Sequence, residues 1–402
     1  MSGAVTSSPT MKNRRLGPGA LILCATVSLL MLVLKPVPGG RHYEYAVLLA
    51  LALITIVLLF QASPRTFFRK GVLAFVMICG LGLGVVNLCV LSPKSEIIRT
   101  YRTVFDTLES GKNPYTAGTI FHVIESSGPV FGNFNYPPLE IYPYYLAYRI
   151  AGTWNLTVLT VTMLAIQALC CLILVSMFPR IALARLIPFL PLVLLGEIKT
   201  TVAVTLLLTA LVLRLIKRDA EAPRTSHGYV IAILFGFGLT AKFLIIPLMA
   251  AYYWHHFDRK DLRSLVGIAV DVGVAVATAV FVMAPFGVVN VLKNTVLFNL
   301  VLEDRAALTT FYPNILSGPF AWLGLQGAYP IVAIALLALA VLAAPRLGLF
   351  TAMLTSACVF LVVAPTPEPQ FVPVLFFLVV VAQCMAIGGR DLKGRGGALA
   401  QP

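Results

Sequence analysis

The stretch Leu91–Pro138 reads LSPKSEIIRTYRTVFDTLESGKNPYTAGTIFHVIESSGPVFGNFNYPP and stands between long apolar segments. It carries an unusual share of the chain's polar side chains, and its first half repeats with a helical period. At about 100° per residue, Glu96, Arg99, Thr103, Asp106 and Ser110 share one face. Ile97, Ile98, Tyr101, Val104, Phe105 and Leu108 share the other. Gly111 ends this helix and Asn113-Pro114 opens a turn. Lying apolar side down on a bilayer, the helix would hold Glu96 and Asp106 over whatever cavity the other helices form.

Outward from this stretch the chain is apolar. Of its 402 residues 59% are hydrophobic and only 11% charged, with a mean hydropathy of +0.91. A soluble domain holds about 25% charged residues. The expected fold is therefore an all-α polytopic membrane protein, a single integral-membrane domain of about 10–13 membrane segments. Apolar spans are expected near 18–35, 44–61, 71–91, 154–177, 183–196, 199–217, 264–286, 328–344, 347–363 and 371–388. The first follows a basic start but lacks an A-x-A cleavage site, so it reads as a retained helix. Residues 1–93 then hold three spans, 94–153 an outer loop, 154–388 the rest of the bundle and 389–402 a cytoplasmic tail. The run 228–254 is interrupted by Gly236, Gly238, Lys242 and Pro247, which predicts two half-helices meeting near Lys242. Leu139–Gly152 is too short and too tyrosine-rich to span and reads as a second interfacial helix, opened by Pro137-Pro138.

The net charge is +14, but the basic residues are scattered over short loops and form no nucleic-acid-binding patch. Most fall on loops of one side, which places both termini in the cytoplasm. The basic residues that topology leaves over are the informative ones, among them Arg99, Lys199, Lys242 and Arg305. The seven cysteines lie inside apolar runs without metal-ligand spacing, and no D-x-D, P-loop or G-x-G-x-x-G motif occurs. No metal or cofactor is expected.

The succession of an acidic residue opening an outer-loop helix, Gly111-Lys112-Asn113-Pro114-Tyr115, and Tyr136-Pro137-Pro138-Leu139-Glu140 resembles the first outer loop of the GT-C glycosyltransferases. The nearest resemblance is to the polyprenyl-phosphate-mannose-dependent mannosyltransferases of glycosyltransferase family 87. Gly196-Glu197-Ile198-Lys199, Gly238-Leu239-Thr240-Ala241-Lys242 and Pro367-Glu368-Pro369-Gln370-Phe371 resemble further short patches of that family. Relatives carry Asp near the start of the outer-loop helix, where this chain has Glu96.

The resemblance implies an inverting transfer of mannose or another hexose from a polyprenyl-phosphate carrier to a lipid, glycan or protein acceptor, outside the plasma membrane. Glu96 is then the expected base, with Asp106 its competitor and Arg99 one turn on. Arg305 leads as the cation for the donor phosphate, with Lys242 behind it. Tyr115, His122, Tyr136, Glu140, Glu197, Lys199 and Gln370 complete the expected substrate contacts. Two other readings stand beside this one: a secondary transporter or flippase for an anionic lipid or sugar, and an inactive lipid-binding relative. A transporter of the rocking kind would carry internal repeats, and none is legible here.

Overall fold

The computed structural model describes residues 96–124, 128–178, 203–221, 227–258, 261–297, 323–324, 328–343 and 349–363, with single positions at 374, 377, 378 and 381. They are mostly helical. The expected spans before residue 94 and near 183–196, the expected contacts at Glu197, Lys199, Arg305 and Gln370, most of the last span and the tail lie outside these residues.

Helix α1 (Glu96–Glu109) forms where the period predicts it. Gly111, at φ 72°, lets the chain reverse: its N–H bonds the Leu108 carbonyl and that of Lys112 the Thr107 carbonyl. The apolar face is covered by protein, which corrects the expectation that a bilayer would cover it. Tyr101, Val104 and Phe105 are buried, and their partners are the rings of Phe134, Tyr144, Tyr148 and Trp154. Paired aromatics of this kind contribute about 0.5–1.5 kcal/mol each beyond their buried area.

A two-stranded antiparallel hairpin, β1 (Ile120–Ile124) and β2 (Gly128–Gly132), departs from the all-helical expectation for the loop. Two α1 threonines dock it. Thr100 Oγ1 donates to the Phe121 carbonyl at 2.7 Å, and Phe121 N–H donates to Thr103 Oγ1 at 3.0 Å. A 3-10 turn at Pro138–Glu140 then leads into α2 (Ile141–Ala151), which Gly152 caps at φ 66°. This is the short, proline-opened helix the sequence predicts.

Helices α3 (Leu156–Met177) and α4 (Ala203–Glu221) run side by side in the same direction. Their first halves join the core of the loop end, and their second halves join a separate core at the far end. The interrupted run divides as expected into α5 (Gly228–Leu239) and α6 (Ile245–His256), with the break at 240–244. The two fold back on one another, since Phe235 of α5 meets the rings of Tyr252 and Tyr253 of α6. The far end is closed by His227 N–H on Asp219 and by Asp258 N–H on Ser264 Oγ. Helix α7 (Leu262–Met283) starts there, and the 3-10 turn after it (Ala284–Phe286) returns to the loop end.

Short α8 (Val288–Leu292) and a π turn (Lys293–Leu297) follow. Helix α9 (Tyr329–Leu342) packs on α10 (Leu349–Val363), which packs on α6. Among the described residues, two stretches, Leu156–Leu174 and Arg263–Phe286, are long and apolar enough to cross a membrane. Shorter apolar helices accompany them at Gly228–Leu239, Ile331–Leu342 and Leu349–Leu361.

Candidate functional site

The break between α5 and α6 is where the polar segment is fastened. Leu139 N–H donates to the Thr240 carbonyl at 2.8 Å, which places the Pro138–Glu140 turn directly against Lys242. Glu140 is fully buried and Lys242 nearly so. Lys242 Nζ lies 3.8 Å from Glu140 Oε1, an ion pair longer than a hydrogen bond, and 4.5 Å from the centre of the Tyr136 ring. The Tyr101 hydroxyl donates to the other carboxylate oxygen, Oε2, at 3.1 Å. A carboxylate, an ammonium and two phenol rings, drawn from three distant parts of the chain, thus meet at one point.

The Gly111–Tyr115 motif builds the wall beside it. Asn113 Nδ2 donates to the Phe286 carbonyl at 2.6 Å while its Oδ1 accepts from Tyr115 N–H at 2.9 Å. The buried Tyr115 hydroxyl donates to the Tyr136 carbonyl at 2.6 Å, and Asn294 Nδ2 donates to the Tyr115 carbonyl at 2.9 Å. Asn113 and Asn294 therefore pin the turn to the end of α7 and to the π turn. Burial first, and the Glu140 charge second, push the phenols of Tyr101, Tyr115 and Tyr144 well above their ordinary range. All three stay neutral at physiological pH: Tyr101 and Tyr115 act as hydrogen-bond donors, Tyr144 as a ring surface, and Lys242 is a counter-charge to Glu140.

The structure brings together Tyr115, Tyr136, Glu140 and Lys242 from the predicted set. Asp106 is exposed on α1, away from the buried Tyr101 face. Arg99 is exposed too, its guanidinium 5.3 Å from the centre of the Phe121 ring. Glu96 is the first residue of α1, and the placement of its side chain lies outside the described residues. Tyr101, Asn113 and Asn294 were missed as site residues. Tyr101 falls on the apolar face, which the sequence assigns to the bilayer, while Asn113 stands inside the quoted motif and gives a signal.

His122 belongs to the hairpin. Its Nε2 lies 3.0 Å from the Asn133 carbonyl, and since a carbonyl only accepts, Nε2 carries the proton. Burial lowers the pKa of this ring, opposed in smaller part by the carbonyl bond. In the unfolded chain histidine titrates near about 6.5. The hairpin is thus favoured above that pH, and the contribution is lost as pH falls toward the lower folded value. Hydrogen–deuterium exchange protection factors over 120–132, corrected for the intrinsic pH dependence, should fall from pH 7.5 to pH 5, and His122→Gln should flatten the dependence.

Compared with family models, curated proteins and solved structures, the chain matches none of them.

Proposed function

We propose that this chain is a polytopic membrane glycosyltransferase of the GT-C kind. It takes a hexose from a polyprenyl-phosphate carrier and passes it to a lipid, glycan or protein acceptor. The carrying observation is that three sequence patches behind the resemblance, Gly111–Tyr115, Tyr136–Glu140 and Gly238–Lys242, converge on one buried charge pair. The protein sits in the plasma membrane with its termini in the cytoplasm and the polar segment outside. Embedding is supported by the apolar side chains left exposed, among them Val266, Val270, Val276 and Phe281 on α7 and Ile331, Ile334 and Leu339 on α9. Surfaces of that extent mark contact with lipid or a partner.

Chemically, the leaving phosphate ester needs a cation and no proton donor, so one carboxylate suffices, unlike the pair in a glycosidase. That carboxylate takes the proton of the acceptor hydroxyl as its oxygen attacks the anomeric carbon opposite the phosphate. The carbon–oxygen bond to phosphate breaks and the configuration inverts. Glu96 is the assigned base, with Asp106 the competing carboxylate. Glu140 is fully enclosed and engaged with Lys242 and Tyr101, which suits a fixed charge better than a group that meets the acceptor. Lipid and glycan extracts of a deletion strain should contain a product one sugar short, restored by the wild-type chain. Unchanged extracts would count against the reading.

A further inference from the structure

Lys242 is nine-tenths buried, yet among the described residues its ammonium has no hydrogen-bond acceptor. Glu140 balances its charge from 3.8 Å, and the ring face of Tyr136 lies 4.5 Å away. An ammonium has three N–H donors, and among the described residues no acceptor closes them. Of the pair, Glu140 is wholly enclosed, whereas 11% of the Lys242 side chain remains exposed, so the open side is the cationic one. The buried Tyr144 hydroxyl, whose ring packs edge-on to Tyr101 at 5.1 Å, also has no hydrogen-bond partner among the described residues. The pair thus presents its positive charge on the one side that is open, and an acceptor-rich anion is the chemistry that matches it.

We infer that Lys242 is the phosphate-ester subsite, with Glu140, Tyr101 and Tyr136 as positioning residues that fix its ammonium from behind; this rests on the glycosyltransferase reading. It moves the donor phosphate from Arg305, the leading expectation, to Lys242. Among the described residues, the groups facing the ammonium are Glu140 and Tyr136, with Tyr101, Tyr115 and Tyr144 around the carboxylate. With no ligand bound, Glu140 keeps the buried cation from standing alone. When the ester binds, the ammonium bridges two anions, as a compact three-donor charge can.

The test is binding of farnesyl phosphate to the full-length protein in nanodiscs, with farnesol, inorganic phosphate and phosphatidylglycerol vesicles as competitors. Lys242→Met should weaken binding by about tenfold or more, the loss of a charge-assisted hydrogen bond. Lys242→Arg should stay within a few-fold of wild type. Glu140→Gln/Lys242→Met removes both charges, so it should fold like wild type and still fail to bind. Glu140→Gln alone should weaken binding, and Glu140→Gln/Lys242→Arg should recover it, which a merely structural Glu140 would not allow. Farnesol should not compete, and inorganic phosphate should compete only weakly. A folded double-neutral variant that binds as wild type overturns the subsite, as does equal competition by farnesol. Displacement by phosphatidylglycerol would assign the site to a membrane headgroup and overturn the carrier assignment. Lys242-dependent binding without sugar transfer would leave the subsite standing and remove the enzyme reading. Transfer that survives Lys242→Met does the reverse.

Discussion

Replacing Lys242 with Met is expected to lower the stability of the loop end by about 3–5 kcal/mol, the cost of breaking a buried ion pair from one side. Glu140 would stay enclosed with the Tyr101 hydroxyl on it and would lose the ammonium at 3.8 Å. The carboxylate would have to remain charged in a poor dielectric or take up a proton, and both states are unfavourable. Adding Glu140→Gln should recover most of the loss, because replacing both charges of such a pair is often neutral. Thermal inactivation midpoints in detergent would show this as a large drop for the single variant and a near-native value for the double. Equal midpoints for the two would mean that the pair contributes nothing to holding the polar segment on the helix break.

The second large effect is steric. A Cβ on Gly236 would lie 2.4 Å from the Ala275 carbonyl oxygen and 2.6 Å from Thr278 Cβ, so α5 and α7 touch through backbone there. Small residues permit this approach between apolar helices. Gly236→Leu should separate the two helices and cost roughly 3 kcal/mol or more, the upper range for overpacking. Gly273 on α7 has open space around its missing Cβ and supplies the control. A disulfide cross-link engineered between α5 and α7 should form in Gly273→Leu and fail in Gly236→Leu.

Much of the local structure was legible in the residues. The spacing of Ile98, Tyr101, Val104 and Phe105 defined the buried face of α1, and Gly111 defined its end. The glycines and proline around Lys242 defined the break between α5 and α6. The partners of these elements were not legible, because periodicity reports which face is apolar and not what covers it. Aromatic rings from Phe134, Tyr144 and Trp154 cover α1, where a bilayer was expected.

The site was visible only in pieces. Tyr136, Glu140 and Lys242 were singled out separately, but Glu140 and Lys242 are joined by a fold-back that no local pattern encodes. Tyr101 carries its polar atom at the end of an apolar ring, so its hydroxyl on Glu140 was hidden inside a core position. The hairpin escaped notice because its strands are short and interrupted by Gly128, Pro129 and Gly132.

The most direct measurement is sugar transfer by the purified full-length protein in proteoliposomes, given a labelled polyprenyl-phosphate hexose and lipid extract as acceptor. The account predicts a new glycosidic product of inverted configuration. Glu96→Gln should reduce turnover at least about a hundredfold, the lower range for loss of a general base, with donor binding intact. If Glu96→Gln stays active and Asp106→Asn is dead, the base is Asp106 and the mechanism stands. Movement of the labelled lipid across the bilayer with no new glycosidic bond, or full transfer by both carboxylate variants, would contradict it.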